Sequence, residues 1–201
     1  MTRIVDIREP LPGELNEGLS NVHVGIDEFG DRWIIREGLE ELYAYIYANS
    51  SFCEIIPETI QLDDTHTAQR LVSMTTAQDM GDELMDESLL NNSVEAMAAM
   101  VCLDLYTGNT DRHGNNWGFT PEGKLVAIDN AWGWDPPITL KQALKPAYRC
   151  GLLRNKEYAI SVANNVGYFL HLYSAGFKGK ILADARADLI AFMRAIPNAS
   201  I

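Results

Sequence analysis

Hydrophobic and polar positions change period along this chain, and the changes divide it. Val22, Val24 and Ile26 alternate with His23, Gly25 and Asp27. Turn residues interrupt at Asp27-Glu28-Phe29-Gly30-Asp31, and the alternation resumes over residues 32–36 (R-W-I-I-R), which predicts a β-hairpin. The first 25 residues contain Pro10, Pro12, Gly13, Gly18 and Gly25 and predict an opening made of turns. Residues 38–50 carry Leu39, Leu42, Tyr43, Ile46 and Tyr47 at three- and four-residue spacing, a helix with that face inward. Pro57 interrupts, and residues 59–62 and 69–74 read as strands.

The character then changes. Asn92 followed by Glu95 suits a helix start, and residues 93–106 are apolar on nearly every side, predicting a buried helix that Gly108 ends. Residues 117–119 and 125–128 read as short strands around a turn at Pro121-Glu122-Gly123. After Pro136-Pro137 the text is helical, most clearly over 157–174 and 181–196. A β-rich front and a helical remainder predict an α+β protein of two lobes, residues 1–76 and 77–201, joined near 75–80.

The 201 residues are enough to bury a core without disulfide or metal staples. The longest apolar run, residues 96–103, has eight residues, and the first residues lack a basic-then-apolar signal pattern, so a cytoplasmic protein is expected. Cys53, Cys102 and Cys150 lie about fifty residues apart without C-x-x-C spacing, which suits free thiols. Charge is unevenly spread. Residues 1–123 hold 23 acids against six Arg and no Lys, a balance of −17, whereas residues 124–201 balance at +5. An acidic front half argues against general nucleic-acid affinity, because each phosphate contact needs a cation.

The densest polar stretch is Gly108-Asn109-Thr110-Asp111-Arg112-His113-Gly114-Asn115-Asn116, flanked by apolar runs that place it over the core. Polar groups there must be paired or must serve a ligand. Phosphoryl transfer needs a carboxylate to accept a hydroxyl proton, and oxygen ligands for Mg²⁺. Asp111 suits the first task. Asn116, five residues on, and Asp129, across a hairpin, suit the second.

These segments carry a resemblance. G-N-T-D-R-H-G-N-N-W-G-F followed by L-V-A-I-D-N resembles the catalytic and metal-binding segments of HipA-like serine/threonine kinases. The D-R-H-x-x-N core is also similar to that of phosphatidylinositol kinases. G-L-S-N-V-H-V-G-I-D-E-F-G-D-R-W-I-I-R resembles the family's phosphate loop and following strand, and E-L-Y-A-Y-I-Y stands where the family has its ion-pairing helix. The likeness spans about residues 15–135 and implies a compact two-lobed protein-kinase-like fold using ATP and Mg²⁺. It makes Asp111 the catalytic base, Asn116 and Asp129 the metal ligands, and Gly18, Ser20 and Asn21 the cover of the phosphates. Residues 70–75, with Met74, become the adenine-side connection. A protein Ser/Thr is the expected acceptor, and an antitoxin or docking subunit an expected partner, with neither nucleic acid nor membrane.

One departure matters. Kinases of this fold use a strand lysine paired to a helix glutamate. Here the position holds Arg36, and no lysine precedes Lys124. Either Arg36 pairs with Glu41 (or Glu40) and does the lysine's work, or the enzyme is impaired, or Arg36 is an edge-strand surface residue. A degenerate kinase that binds nucleotide without transfer is the alternative within the fold. An acidic protein that blocks a basic partner is the alternative outside it. Arg112 and His113 read as scaffolding of the loop. His23, His66 and His171 have no partner at metal-ligand spacing, and Trp132-Gly133-Trp134 could shape a substrate cleft.

Overall fold

Backbone pairing in the front part is entirely antiparallel. In a computed structural model that describes residues 2–12, 14–15, 22–51, 54–81, 86–130, 138–174 and 179–196, strands β1 (Ile4–Arg8), β2 (His23–Asp27), β3 (Arg32–Glu37), β4 (Thr59–Gln61) and β5 (His66–Arg70) form one sheet in the order β1-β2-β3-β5-β4. Helix α1 (Glu40–Ser51) connects β3 to β4. Trp33, Ile35 and Ala68 are the buried apolar heart of this sheet. The β2–β3 turn is fixed by Asp27, whose Oδ1 accepts the N–H of Phe29 and of Asp31 at 2.9 Å each, while Oδ2 accepts the Trp33 indole N–H at 3.0 Å.

Leaving β5, the chain enters a second sheet. Strand β6 (Thr75–Thr76) pairs with β7 (Trp117–Phe119), which pairs with β8 (Leu125–Ala127). Gly118 is required here, because a Cβ would overlap the Thr75 carbonyl. Helices α2 (Ala77–Met80) and α3 (Glu87–Thr107) precede β7. They are followed, after β8, by α4 (Leu140–Ala143), α5 (Lys145–Arg149), a 3-10 turn (Leu152–Arg154), α6 (Lys156–Leu172) and α7 (Gly179–Ala195). Helix α3 packs against α6, with Ser93 Oγ meeting the Tyr158 hydroxyl at 3.1 Å, and Met97, Val101, Val162 and Val166 are buried in the same core. The front of the molecule is thus rich in sheet and the rest helical. No helix among the described residues is long and apolar enough to cross a membrane.

Several expectations are corrected. The opening is not only turns: β1 pairs with β2 from Ile4↔Asp27 to Arg8↔Val24. As an edge strand with Val5 and Ile7 exposed it has no buried alternation to reveal it. The strand expected over 69–74 is β5, which lies earlier because its register is set by β3 and β4 together. Helix α3 starts before Asn92, where Asp86 Oδ1 caps the N–H groups of Ser88 and Leu89. Helix α1 buries Glu41, Ala44 and Ala48, and the expected inward residues Tyr43 and Ile46 are exposed. Its inward face is chosen by the partners of Glu41. Cys102 is buried and Cys150 half-buried, both as free thiols. Gly18, Ser20, Asn21, Cys53 and Trp132-Gly133-Trp134 lie outside the described residues.

Candidate active site

Arg36 stands opposite Thr67 near the end of β3, a strand enclosed by β2 and β5, so the edge-strand reading fails. Gly38, at φ 105°, turns the chain from β3 into α1, a conformation that favours glycine, and Glu41 arrives in the first helical turn. The Arg36 Nη1 group donates to Glu41 Oε1 at 3.4 Å and to Asp129 Oδ1 at 2.9 Å. Its Nε is buried with no hydrogen-bond partner among the described residues.

Asp129 follows β8 with φ 55°, the one non-glycine residue in the left-handed region among those described. Aspartate tolerates that region better than most residues, and such strain is held where surroundings over-determine it. The surroundings here are specific. Ile128 N–H donates to the Asn116 carbonyl at 2.9 Å. The Asn130 N–H donates to Glu41 Oε1 at 2.7 Å, and Asn130 Nδ2 donates to Glu41 Oε2 at 3.1 Å. A backbone turn pinned on both sides leaves Asp129 little freedom.

The loop after α3 is organised by Arg112. Its Nε and Nη2 donate to the Asp104 carboxylate, Nη1 to the carbonyls of Asn116 (2.9 Å) and Ile128 (2.7 Å), and Nη2 also to Asn130 Oδ1 (2.6 Å). All five guanidinium N–H groups are thereby engaged. Asp104 is wholly buried, and burial pushes its carboxyl up while Arg112 and Asn109 pull it back. Asn109 Oδ1 accepts the Asp111 N–H at 2.9 Å, and Asn116 Nδ2 donates to the Asp111 carbonyl at 3.1 Å. The Asp111 carboxylate is left pointing out, its side chain 55% exposed, with His113 Nε2 at 4.0 Å.

These bonds bring Arg36, Glu41 and Asp129 into one cluster, and Arg112 ties Asn116 and the Asp111 loop to it. Met74 lies half-buried in residues 71–74 between β5 and β6. Asn130 and Asp104 carry much of the geometry and were not singled out from the sequence. Asp104 had a signal, being the one acid in the apolar stretch 96–106, which requires a buried cation nearby. Asn130 had only its place beside Asp129.

A magnesium nucleotide fits this donor set. The orphaned Arg36 Nε keeps an uncommitted N–H, the kind of donor a phosphate oxygen accepts from, and Asn116 and Asp129 are hard oxygen donors. No cluster of three or more His, Cys, Asp or Glu able to hold a metal exists among the described residues. Mg²⁺ with a nucleotide needs only one or two protein carboxylates alongside the phosphates.

No family model matches the chain, and no curated protein matches it. Among solved structures it is similar to an aminoglycoside phosphotransferase from Alicyclobacillus acidocaldarius, with a TM-score of 0.42 and 10% identity over 92% of this chain and 91% of that one. A likeness that slight carries no argument, and the site must be read from its own residues.

Proposed function

We propose that the chain is an ATP- and Mg²⁺-dependent phosphotransferase of protein-kinase-like fold that passes the γ-phosphoryl group to a hydroxyl, with a protein serine or threonine as acceptor. The observation that supports it best is the network Arg36–Glu41–Asn130–Arg112–Asp104, which joins the first sheet to the loop bearing Asp111 and Asn116 and to Asp129. Each member is either a group that phosphoryl transfer needs or a partner that holds one in place.

In this reading Arg36 binds the nucleotide phosphates and Glu41 orients Arg36. Asn116 and Asp129 hold the metal, which supplies charge neutralisation at the phosphates. Gly18, Ser20 and Asn21 cover the phosphates, and Met74 lies on the adenine side. Asp111 accepts the hydroxyl proton as the acceptor oxygen bonds to the γ-phosphorus and the bond to the β-phosphate oxygen breaks, releasing ADP. Its exposure and its backbone anchorage to Asn109 and Asn116 suit a base that must meet an incoming substrate.

Asp111→Asn is expected to lower transfer of labelled γ-phosphoryl by roughly 10²- to 10⁴-fold, the range for removing a general base. Nucleotide affinity by calorimetry should be unchanged. Transfer at the wild-type rate removes Asp111 from the chemistry.

A second reading has its own observation. Arg36 engages Asp129 directly, so a metal ligand is already neutralised by an arginine where related folds have lysine. A nucleotide-binding protein without transfer would bind ATP yet label no acceptor.

A further inference from the structure

Beside Asp111 lies a small, solvent-open cleft of about 40 Å³, walled by the 109–113 loop on one side and by Gln142, Lys145, Pro146 and Arg149 on the other. Lys145 and Arg149 stand four residues apart on α5, hence on one face, and both are exposed. Neither has an ion-pair partner among the described residues. The lining contains a single acid, Asp111 itself. Arg112 also borders the cleft, but its donors are all spent on Asp104, Asn116, Ile128 and Asn130. His113 Nδ1 accepts the Asn115 N–H at 3.3 Å, which in the neutral ring puts the proton on Nε2, facing Asp111.

The place of these two cations beside Asp111 gives the arrangement its meaning. In the front half Arg8, Arg32, Arg36 and Arg70 all sit on carboxylates. Lys145 and Arg149 do not, in common with Lys141, Arg154 and Lys156 among the described residues of the basic back half, and of these only Lys145 and Arg149 line the cleft at Asp111. Two like charges one helical turn apart repel each other, and an anion bound between them removes that repulsion. The field of the whole molecule turns acidic chains away at a distance but is screened beyond about 8 Å at physiological salt. Within the cleft Lys145 and Arg149 decide.

We infer that this cleft takes an acidic segment bearing the acceptor serine or threonine, with Lys145 and Arg149 pairing its carboxylates while the hydroxyl lies at Asp111. The binding half stands on the cleft alone, and the acceptor role rests on the phosphotransferase reading.

The test uses two fluorescein-labelled peptides, one with a serine among Asp and Glu residues and its twin with the serine among Lys and Arg, followed by anisotropy against the full chain. The acidic peptide is expected to bind about 10-fold more tightly, the worth of one charge-assisted hydrogen bond. Lys145→Ala/Arg149→Ala should abolish that preference, and Lys145→Glu/Arg149→Glu should reverse it, with circular dichroism checking that both variants fold. Equal binding, a basic preference in the wild type, or a preference that survives the double alanine variant overturns the inference. A parallel assay with labelled ATP separates the two readings. Phosphate reaching the basic peptide as well as the acidic one overturns the inference and leaves the phosphotransferase standing. Acidic preference with label reaching neither peptide removes the phosphotransferase, and with it the acceptor role, but leaves an acidic-segment site.

Discussion

Arg36 serves two carboxylates with one nitrogen and keeps a second buried nitrogen uncommitted. If the nucleotide phosphates take that nitrogen, Arg36→Ala should weaken ATP binding by roughly 10- to 100-fold, the equivalent of one charge-assisted hydrogen bond. Calorimetry on the two proteins decides it, and equal affinities would take Arg36 out of phosphate binding. At this scale the sequence was informative where chemistry shows in residue type. Asp111, Asn116 and Asp129 stood out as oxygen groups at telling separations, and Arg36 as the cation where a lysine was expected. Asn130 did not stand out, because its importance lies in meeting Glu41, 89 positions away, and no local pattern records that meeting.

Among the elements, the β4–β5 hairpin shows how one turn residue sets a register. Asp63 Oδ1 accepts the N–H of Thr65 (2.7 Å) and of His66 (2.8 Å) and the Thr65 hydroxyl (2.9 Å). The Thr65 N–H first, then the His66 and Thr65 side chains, bring its carboxyl from an ordinary 3.8 down to about 2. A carboxyl depressed on folding stabilises the native state above its unfolded value and loses that contribution as pH falls toward its folded value. Asp63→Asn should therefore be less stable than wild type at neutral pH, and the gap should close between about pH 4 and pH 2. Urea unfolding at a series of pH values checks this, and a constant gap would assign the loss to geometry instead of charge. Elements with a strong period, such as α6, β2 and β3, were legible, and α3 was legible as a long run apolar on nearly every side. Helix α1 was legible as a helix but not in orientation, because its apolar stripe lost to one buried glutamate. Edge strand β1 was hidden because an exposed strand need not alternate.

For the molecule as a whole, Arg112 is where α3, the 109–116 loop and the turn after β8 are fastened together. Arg112→Leu would leave Asp104 buried without its counter-charge, a loss of about 3–5 kcal/mol. Urea unfolding should record it, and adding Asp104→Leu should recover part of it; a loss below 1 kcal/mol would mean the pair contributes little. The β-rich front and helical remainder were legible from the change of hydrophobic period, whereas the crossing of β6 into the second sheet was not, since two residues carry no period. The long-range tie has a further consequence, for the order in which the chain can be assembled. All five strands of the first sheet are complete by Arg70, and each pairs only within that stretch. Asn130, which meets Glu41, is synthesised 60 residues later. A growing chain can build its first sheet early with Glu41 still in water, while the site itself must wait for a loop closure spanning nearly half the polypeptide. Loops of that length close at an entropic cost and late in folding. Competence to bind a ligand is thus withheld until about two thirds of the protein exists.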